Sequence, residues 1–127
     1  MKFDVVMPLL GFEDLRSVEL EKIDEVFMKM QDLENEHISF TLIDPFVLRE
    51  YDFEVPQNVQ DLLEIKENSN ILVLNIVLLQ TPVKDSLINF IGPLLFNTDS
   101  HKAMQLILPE NTHYGVTEKI STFLAKE

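Results

Sequence analysis

The sequence predicts an all-β, mainly antiparallel fold: a small β-barrel-like or sandwich domain with one or two short helices. Apolar residues mostly alternate with polar residues, which is the period of half-buried strands. Turn residues separate many short segments of this kind, as in sandwiches and small barrels. The chain has 127 residues, a hydrophobic fraction of 46% and nine Phe, enough for one buried core. Because no linker or low-complexity segment interrupts it, we expect a single domain over residues 1–127.

The predicted strands follow one another along the chain. The alternating apolar sets are Phe3, Val5 and Met7; Val18 and Leu20; Val26, Met28 and Met30; and Ile38, Phe40 and Leu42. Residues 71–79 are apolar on both faces except at Asn75, which predicts a central strand covered on both sides. Residues 102–108 form a further strand candidate, preceded by a turn over the Asn-Thr-Asp-Ser-His-Lys segment.

Two segments have helical spacing instead. In residues 56–65, Pro56 suits the first helical position, and one face holds Val59, Leu62 and Leu63. Near the C-terminus, Thr117 is a candidate helix cap. The apolar residues at helical spacing around it are Val116, Ile120, Phe123 and Leu124. The sequence therefore predicts a short helix at each of these places.

The charge is strongly acidic and unevenly distributed. The net charge is −12, and residues 12–67 contain sixteen acidic and five basic residues. This balance argues against direct binding to nucleic acid, which requires basic residues, and favours a basic protein partner. Acidity that serves only solubility is the alternative interpretation. The sequence has no Cys, no apolar run long enough to span a membrane and no signal-peptide pattern, so we expect a cytoplasmic protein without membrane contact.

A search for catalytic or cofactor-binding motifs finds none. The three His are far apart, and Asp99, Ser100 and His101 are interpreted as turn residues, because a triad is defined by geometry. With three Gly there is no phosphate-binding loop, and we expect no cofactor or metal. These absences favour a binding protein. A small hydrolase that uses carboxylates on the barrel surface remains an alternative, as does a self-assembling structural β protein.

Two stretches are candidates for partner binding. The first contains Glu50, Tyr51, Asp52 and Glu54, an acidic, Tyr-bearing edge that suits a basic partner. The alternative is an ordinary corner between strands.

The second stretch is Asn-Phe-Ile-Gly-Pro-Leu-Leu-Phe-Asn, at residues 89–97. Gly92 and Pro93 interrupt pairing there, which predicts a bend. We expect the bend to leave Phe90 and Ile91 partly exposed as an apolar surface for a partner. The alternative is that the two residues only seal the barrel.

Taken in order, these stretches resemble the FliW family of flagellar assembly factors over nearly the whole chain. The resemblance begins at PLLGFEDL, continues through VFMKMQDLENEHISFTLIDPF and Tyr51, and is most specific at NFIGPLLFNTDSHKAMQLIL. The motif positions to which it assigns a structural role are Asp44, Pro45, Phe46, Asn89, Gly92, Pro93, Asn97 and Gln105. The chain departs from the family where Phe90 replaces the usual Leu and Gly92 the usual Ala.

The resemblance implies a non-enzymatic regulator with a small antiparallel β-barrel-like fold. Members of this family bind the translational repressor CsrA and also flagellin. Free flagellin occupies the family protein and releases CsrA to repress flagellin mRNA, and secretion of flagellin reverses this. The resemblance does not say which face binds which partner or whether both bind together.

Overall fold

Nine strands and two short α-helices make up the part of the chain that the computed structural model describes, residues 1–109 and 114–124. The strands are β1 (Lys2–Val5), β2 (Ser17–Lys22), β3 (Phe27–Asp32), β4 (Ser39–Ile43), β5 (Ile71–Leu78), β6 (Leu87–Ile88), β7 (Leu94–Asn97), β8 (Lys102–Gln105) and β9 (Glu118–Lys119). The α-helices are α1 (Gln57–Leu62) and α2 (Ser121–Leu124), and 3₁₀ helices cover Pro45–Val47 and Val83–Asp85. No described helix is long and apolar enough to cross a membrane.

Seven of these strands close into a barrel. Their order is β4-β3-β2-β1-β8-β7-β5, and pairing of β4 with β5 closes the ring. All the described pairings of the barrel are antiparallel except that of β1 with β8, which is parallel. Strands β6 and β9 extend from β5 outside the ring. The predicted all-β, mainly antiparallel class is confirmed. Of the two predicted architectures, barrel and sandwich, the structure has the barrel.

Alternation along the strands builds two separate apolar clusters. One contains Phe3, Leu74 and Phe96, and the other contains Val77 and Leu95. Neighbours such as Leu95 and Phe96 fall into different clusters because successive side chains of a strand point to opposite faces. The first cluster fills the barrel. The second lies outside it, where α1 and the irregular segments cover β5 and β7, so β5 is covered on both faces as predicted.

Several predicted strand limits are wrong at one end. Met7 lies beyond β1 and is exposed, because the chain turns away at Pro8. Val26 precedes β3, and β8 ends at Gln105 rather than at residue 108. Pairing partners determine where a strand ends, and a single-sequence pattern does not show them.

The helix prediction is right for α1 and only partly right at the C-terminus. Pro56 is the N-cap of α1 rather than its first residue, and Leu62 is exposed while Leu63 is fully buried. At the C-terminus a helix forms inside the predicted segment, but Thr117 is not its cap. Glu118–Lys119 is a strand paired with β6, and the described part of the helix is Ser121–Leu124. Pairing with β6 overrides the helical spacing there.

Candidate partner-binding site

The bend at residues 89–93 is closed by hydrogen bonds and packing. Asn89 Oδ1 accepts the backbone N–H groups of Ile91 at 3.0 Å and Gly92 at 3.1 Å. The N–H of Phe90 donates to the carbonyl of Gly115 at 3.0 Å, and the Phe90 side chain is fully buried. The expectation that the bend leaves Phe90 exposed is therefore wrong, because the segment around Gly115 covers it. Ile91 is half-buried.

Tyr51 is also buried, contrary to its predicted place on an exposed edge. Its hydroxyl donates to the carbonyl of Phe90 and accepts from Nδ2 of Asn75 at 3.1 Å. Burial raises the pKa of Tyr51 to about 12. The ring packs edge-on against Phe53 and Tyr114, with centroids 5.2 and 4.8 Å away. Tyr51 therefore anchors its segment to the bend, and 6% of its surface remains exposed.

Arg49 closes the same cluster from its outer side. Its guanidinium lies 5.1 Å from the ring centroid of Phe90 and 4.8 Å from that of Tyr114. Nη1 of Arg49 also pairs with Oε1 of Glu118 at 3.2 Å, and both side chains are mostly buried. Glu118 neutralises the charge of Arg49, which is the only basic residue of its segment. Arg49 therefore does not offset the negative charge of the acidic residues that follow it.

Those acids form the exposed rim of the candidate site. Glu50, Asp52 and Glu54 all have exposed side chains, in agreement with the predicted acidic strip. Between them, the buried ring of Tyr51 and the half-buried ring of Phe53 fix the chain. The three carboxylates consequently stand on a positioned segment, which we call the acidic rim.

An apolar groove lies beside the acidic rim. It has a volume of about 410 Å³, and its walls include Phe46, Phe53, Val55, Ile65 and Val73. Phe46 is exposed at 55%, so its ring stands at the mouth of the groove. We call this depression the outer groove. It lies outside the barrel, over β5 and β7.

A second depression lies on the other side of Phe53. It has a volume of about 350 Å³ and is lined by residues 52–54, Pro56 and residues 106–109. We call it the slot. Sequence reasoning missed this site because residues 52–56 and 106–109 are far apart in the chain. The exposed Ile107 between two buried Leu is the only local signal of it.

The motif residues of the sequence mostly hold the backbone. Asp44 Oδ1 accepts the N–H of Phe46 at 2.9 Å and caps the 3₁₀ helix there. Asn97 is fully buried, and its Nδ2 donates to the carbonyl of Leu63 at 2.9 Å. Gln105 Nε2 donates to the carbonyl of Gly92 at 3.2 Å. In each of these contacts the side chain bonds a backbone group of another residue.

Two carboxyl groups in the described part of the chain, those of Asp24 and Glu64, are poorly suited to act as general acids. The pKa values of both groups are lowered. Hydrogen bonds from the N–H groups of Phe27 and Val26 lower the pKa of Asp24, and the ammonium of Lys102 lowers that of Glu64. A carboxyl group that acts as a general acid near neutral pH needs a raised pKa. Among the described residues, no group of three or more His, Cys, Asp or Glu is placed to hold a metal ion.

Fold and surface together define a small β-barrel domain with an acidic rim and apolar grooves. The model of the FliW protein family matches residues 2–120. The chain therefore belongs to the FliW family.

Similar proteins agree with this membership. The flagellar assembly factor FliW of Sulfurimonas denitrificans is 64% identical over 126 residues, 99% of this chain and 100% of that protein. FliW 2 of Wolinella succinogenes is 49% identical, with 97% and 92% covered. FliW of Campylobacter lari is 40% identical, with 98% and 97% covered. A crystal structure of a flagellar assembly factor FliW has the same fold, with a TM-score of 0.86 at 22% identity over 94% of this chain and 84% of that one.

Proposed function

We propose that this chain is a non-enzymatic regulator that binds CsrA and flagellin in the cytoplasm. By exchanging these partners it would couple the level of flagellin to translation of flagellin mRNA and to assembly of the flagellum. Family membership supports the link to flagellar assembly. The observation that supports partner binding is the outer groove bordered by the acidic rim. Partner exchange of this kind depends on relative affinities and concentrations.

The outer groove suits the terminal helix of flagellin. Amphipathic helices dock through apolar side chains spaced three or four residues apart. The groove offers them the exposed ring of Phe46 and the half-buried side chains of Phe53 and Val55. These residues take the place of the apolar surface predicted at Phe90, because Phe90 is buried.

To test flagellin binding, we would replace Phe46 with Asp. We expect the affinity for flagellin to fall at least about tenfold, since a carboxylate in an apolar contact must be desolvated. Isothermal titration calorimetry with flagellin monomer measures this. Val83→Asp is the matched control, because Val83 is similarly exposed, at 53%. Val83 lies beyond the C-terminal end of β5 and does not line the groove. Equal affinity of the Phe46 variant and the native chain would contradict flagellin docking in this groove.

The acidic rim suits CsrA, an RNA-binding protein with basic surfaces. Complementary charge speeds diffusional encounter, and salt screens it. We expect Glu50→Lys with Asp52→Lys to slow association with CsrA about tenfold at low salt. Stopped-flow or surface plasmon resonance measures the rate constant.

The control makes the same change of charge elsewhere. Glu34→Lys with Glu36→Lys changes the exposed turn between β3 and β4, at the opposite end of β4 from Asp44. We expect this variant to associate with CsrA much faster than the rim variant. Equal slowing in both would mean that only net charge matters. Failure of the native chain to bind CsrA at low salt would refute the CsrA part of the proposal and leave the hydrolase and self-assembly alternatives to be tested.

A further inference from the structure

One wall of the slot is the free edge of a strand-like segment. The N–H groups of Leu106 and Leu108 donate to the carbonyls of Pro93 and Ile91, both at 2.8 Å. In an extended chain, alternate residues direct their backbone groups to opposite sides. The N–H and C=O of Ile107 therefore face away from residues 91–93. Neither group has a hydrogen-bond partner in the described part of the chain.

Among the described residues nothing pairs with this edge, because β1 ends too early to cover it. β1 pairs with β8 at Lys102 and Ala103. It lies on the side of β8 toward which the N–H and C=O groups of Ile107 are directed. The last of these bonds runs from the N–H of Val6 to the carbonyl of Ala103, at 2.9 Å. Beyond it β1 has left the sheet, and the slot occupies the space beside Ile107.

The opposite wall also presents backbone groups that no described residue bonds. The N–H and C=O groups of Phe53 and Glu54 form no hydrogen bond with any described residue. Their neighbours are held in place: the N–H of Asp52 donates to the Tyr114 hydroxyl at 2.9 Å, and Gln60 Nε2 donates to the carbonyl of Val55 at 2.8 Å. The wall is thus fixed on both sides of the free groups.

The chemistry of the lining defines the ligand. Apolar side chains of Phe53, Leu106, Ile107 and Leu108 line the slot, and its charged lining residues, Asp52 and Glu54, are both acids. A helix satisfies its own backbone groups and would leave both walls unpaired. An extended segment can pair with a free edge and place alternate side chains toward the apolar lining.

We propose that the slot binds an extended segment of a partner protein by β-strand addition. The segment has apolar side chains at alternating positions and Lys or Arg between them, to match the acids. The inference rests on the proposed function only in taking the partner to be a protein. It adds a second mode of partner recognition, at a site that Phe53 separates from the outer groove.

The direct test is residue-resolved amide hydrogen exchange with a probe peptide. The probe is a blocked hexapeptide of alternating Lys and Val, compared with its Glu-Val counterpart and with a version whose backbone is N-methylated at alternate residues. We expect the Lys-Val peptide to slow exchange of the Ile107 amide about tenfold or more at saturation. Exchange at Leu106 and Leu108 should change less, because their amides are already bonded. Neither comparison peptide should give the Ile107 effect.

A pair of variants provides an independent test. Ile107→Pro removes the free N–H without removing any described hydrogen bond, and Ile107→Ala keeps it. We expect the Pro variant to bind the Lys-Val peptide about threefold to tenfold more weakly than the Ala variant, the effect of one hydrogen bond. Equal affinities, or unchanged Ile107 exchange in the native chain, would overturn the inference. If the Pro variant does not fold, exchange in the native chain decides. A complex with CsrA or flagellin that leaves the Ile107 amide unprotected would refute a strand-addition role in that complex and leave the proposed function intact.

Discussion

At the scale of single residues, Tyr51 connects three segments that are distant in sequence. Its hydroxyl bonds to the carbonyl of Phe90 and to Asn75 of β5, while its ring contacts Tyr114 beyond the last barrel strand. A buried polar group is stabilising only while its partners are present. The acidic rim therefore keeps its position because Tyr51, between its acids, is fixed to the barrel.

The raised pKa of Tyr51 predicts a loss of stability at alkaline pH. Because the folded-state pKa is about 12 and the ordinary value 10.0, the Tyr51 contribution is complete below about pH 10 and disappears as pH rises through 12. The loss amounts to roughly 2–3 kcal/mol of unfolding free energy. Urea denaturation of the native chain and of Tyr51→Phe measures it at several pH values. The difference between the two should shrink with rising pH, and a constant difference would contradict the prediction.

At the scale of elements, the bend packs Gly92 tightly against β8. A Cβ at Gly92 would lie 2.5 Å from Nε2 of Gln105 and 3.1 Å from Nδ2 of Asn89. We expect Gly92→Ala to cost about 1 kcal/mol, because the end of the flexible Gln105 side chain must move. In a Gln105→Ala background the cost should largely disappear, which a double-mutant cycle by urea denaturation measures. Additive effects of the two changes would show that the bend itself, and not Gln105, excludes a larger residue.

The elements differ in how well their sequence predicts them. Strands β2 and β3 follow directly from alternation, since Val18, Leu20 and Met30 are buried as predicted. The C-terminal segment does not, because its helical spacing gives way to pairing of β9 with β6. The parallel pairing of β1 with β8 has no local signature either. Long-range pairing is set by tertiary contacts, which a single-sequence pattern does not contain.

The candidate site can be predicted only in part from the sequence, because it also depends on tertiary contacts. Exposure of Glu50, Asp52 and Glu54 follows from their local pattern. Burial of Tyr51 and Phe90 does not, because the two residues cover each other across 39 positions of the chain. The single polar residue in β5, Asn75, was the available signal that a buried hydrogen-bond partner lay nearby. Both grooves arise only when separate segments come together.

At the scale of the whole molecule, the acidic charge affects folding and binding in opposite ways. Among the described acids, few have an ionic partner; the pairs include Lys22 with Glu25, Arg49 with Glu118, and Lys102 with Glu64. The remaining negative charges repel one another in the compact state and attract a basic partner. Salt screens both interactions. It therefore weakens the repulsion that opposes folding and also the attraction that speeds association with a basic partner.

Salt should accordingly stabilise the free protein while weakening its proposed complex with CsrA. We expect the free energy of unfolding in urea to rise by roughly 1 kcal/mol between about 10 mM and about 300 mM sodium chloride. Over the same interval the rate of association with CsrA should fall. The Glu34→Lys, Glu36→Lys variant has less charge to screen and should gain less stability from salt. A native chain that loses stability with salt would contradict the repulsion argument, and loss of CsrA binding could then reflect unfolding. If salt stabilises the free protein and weakens its binding to CsrA, unfolding cannot explain the weaker binding. Salt then acts on the complex itself, because the fold is intact.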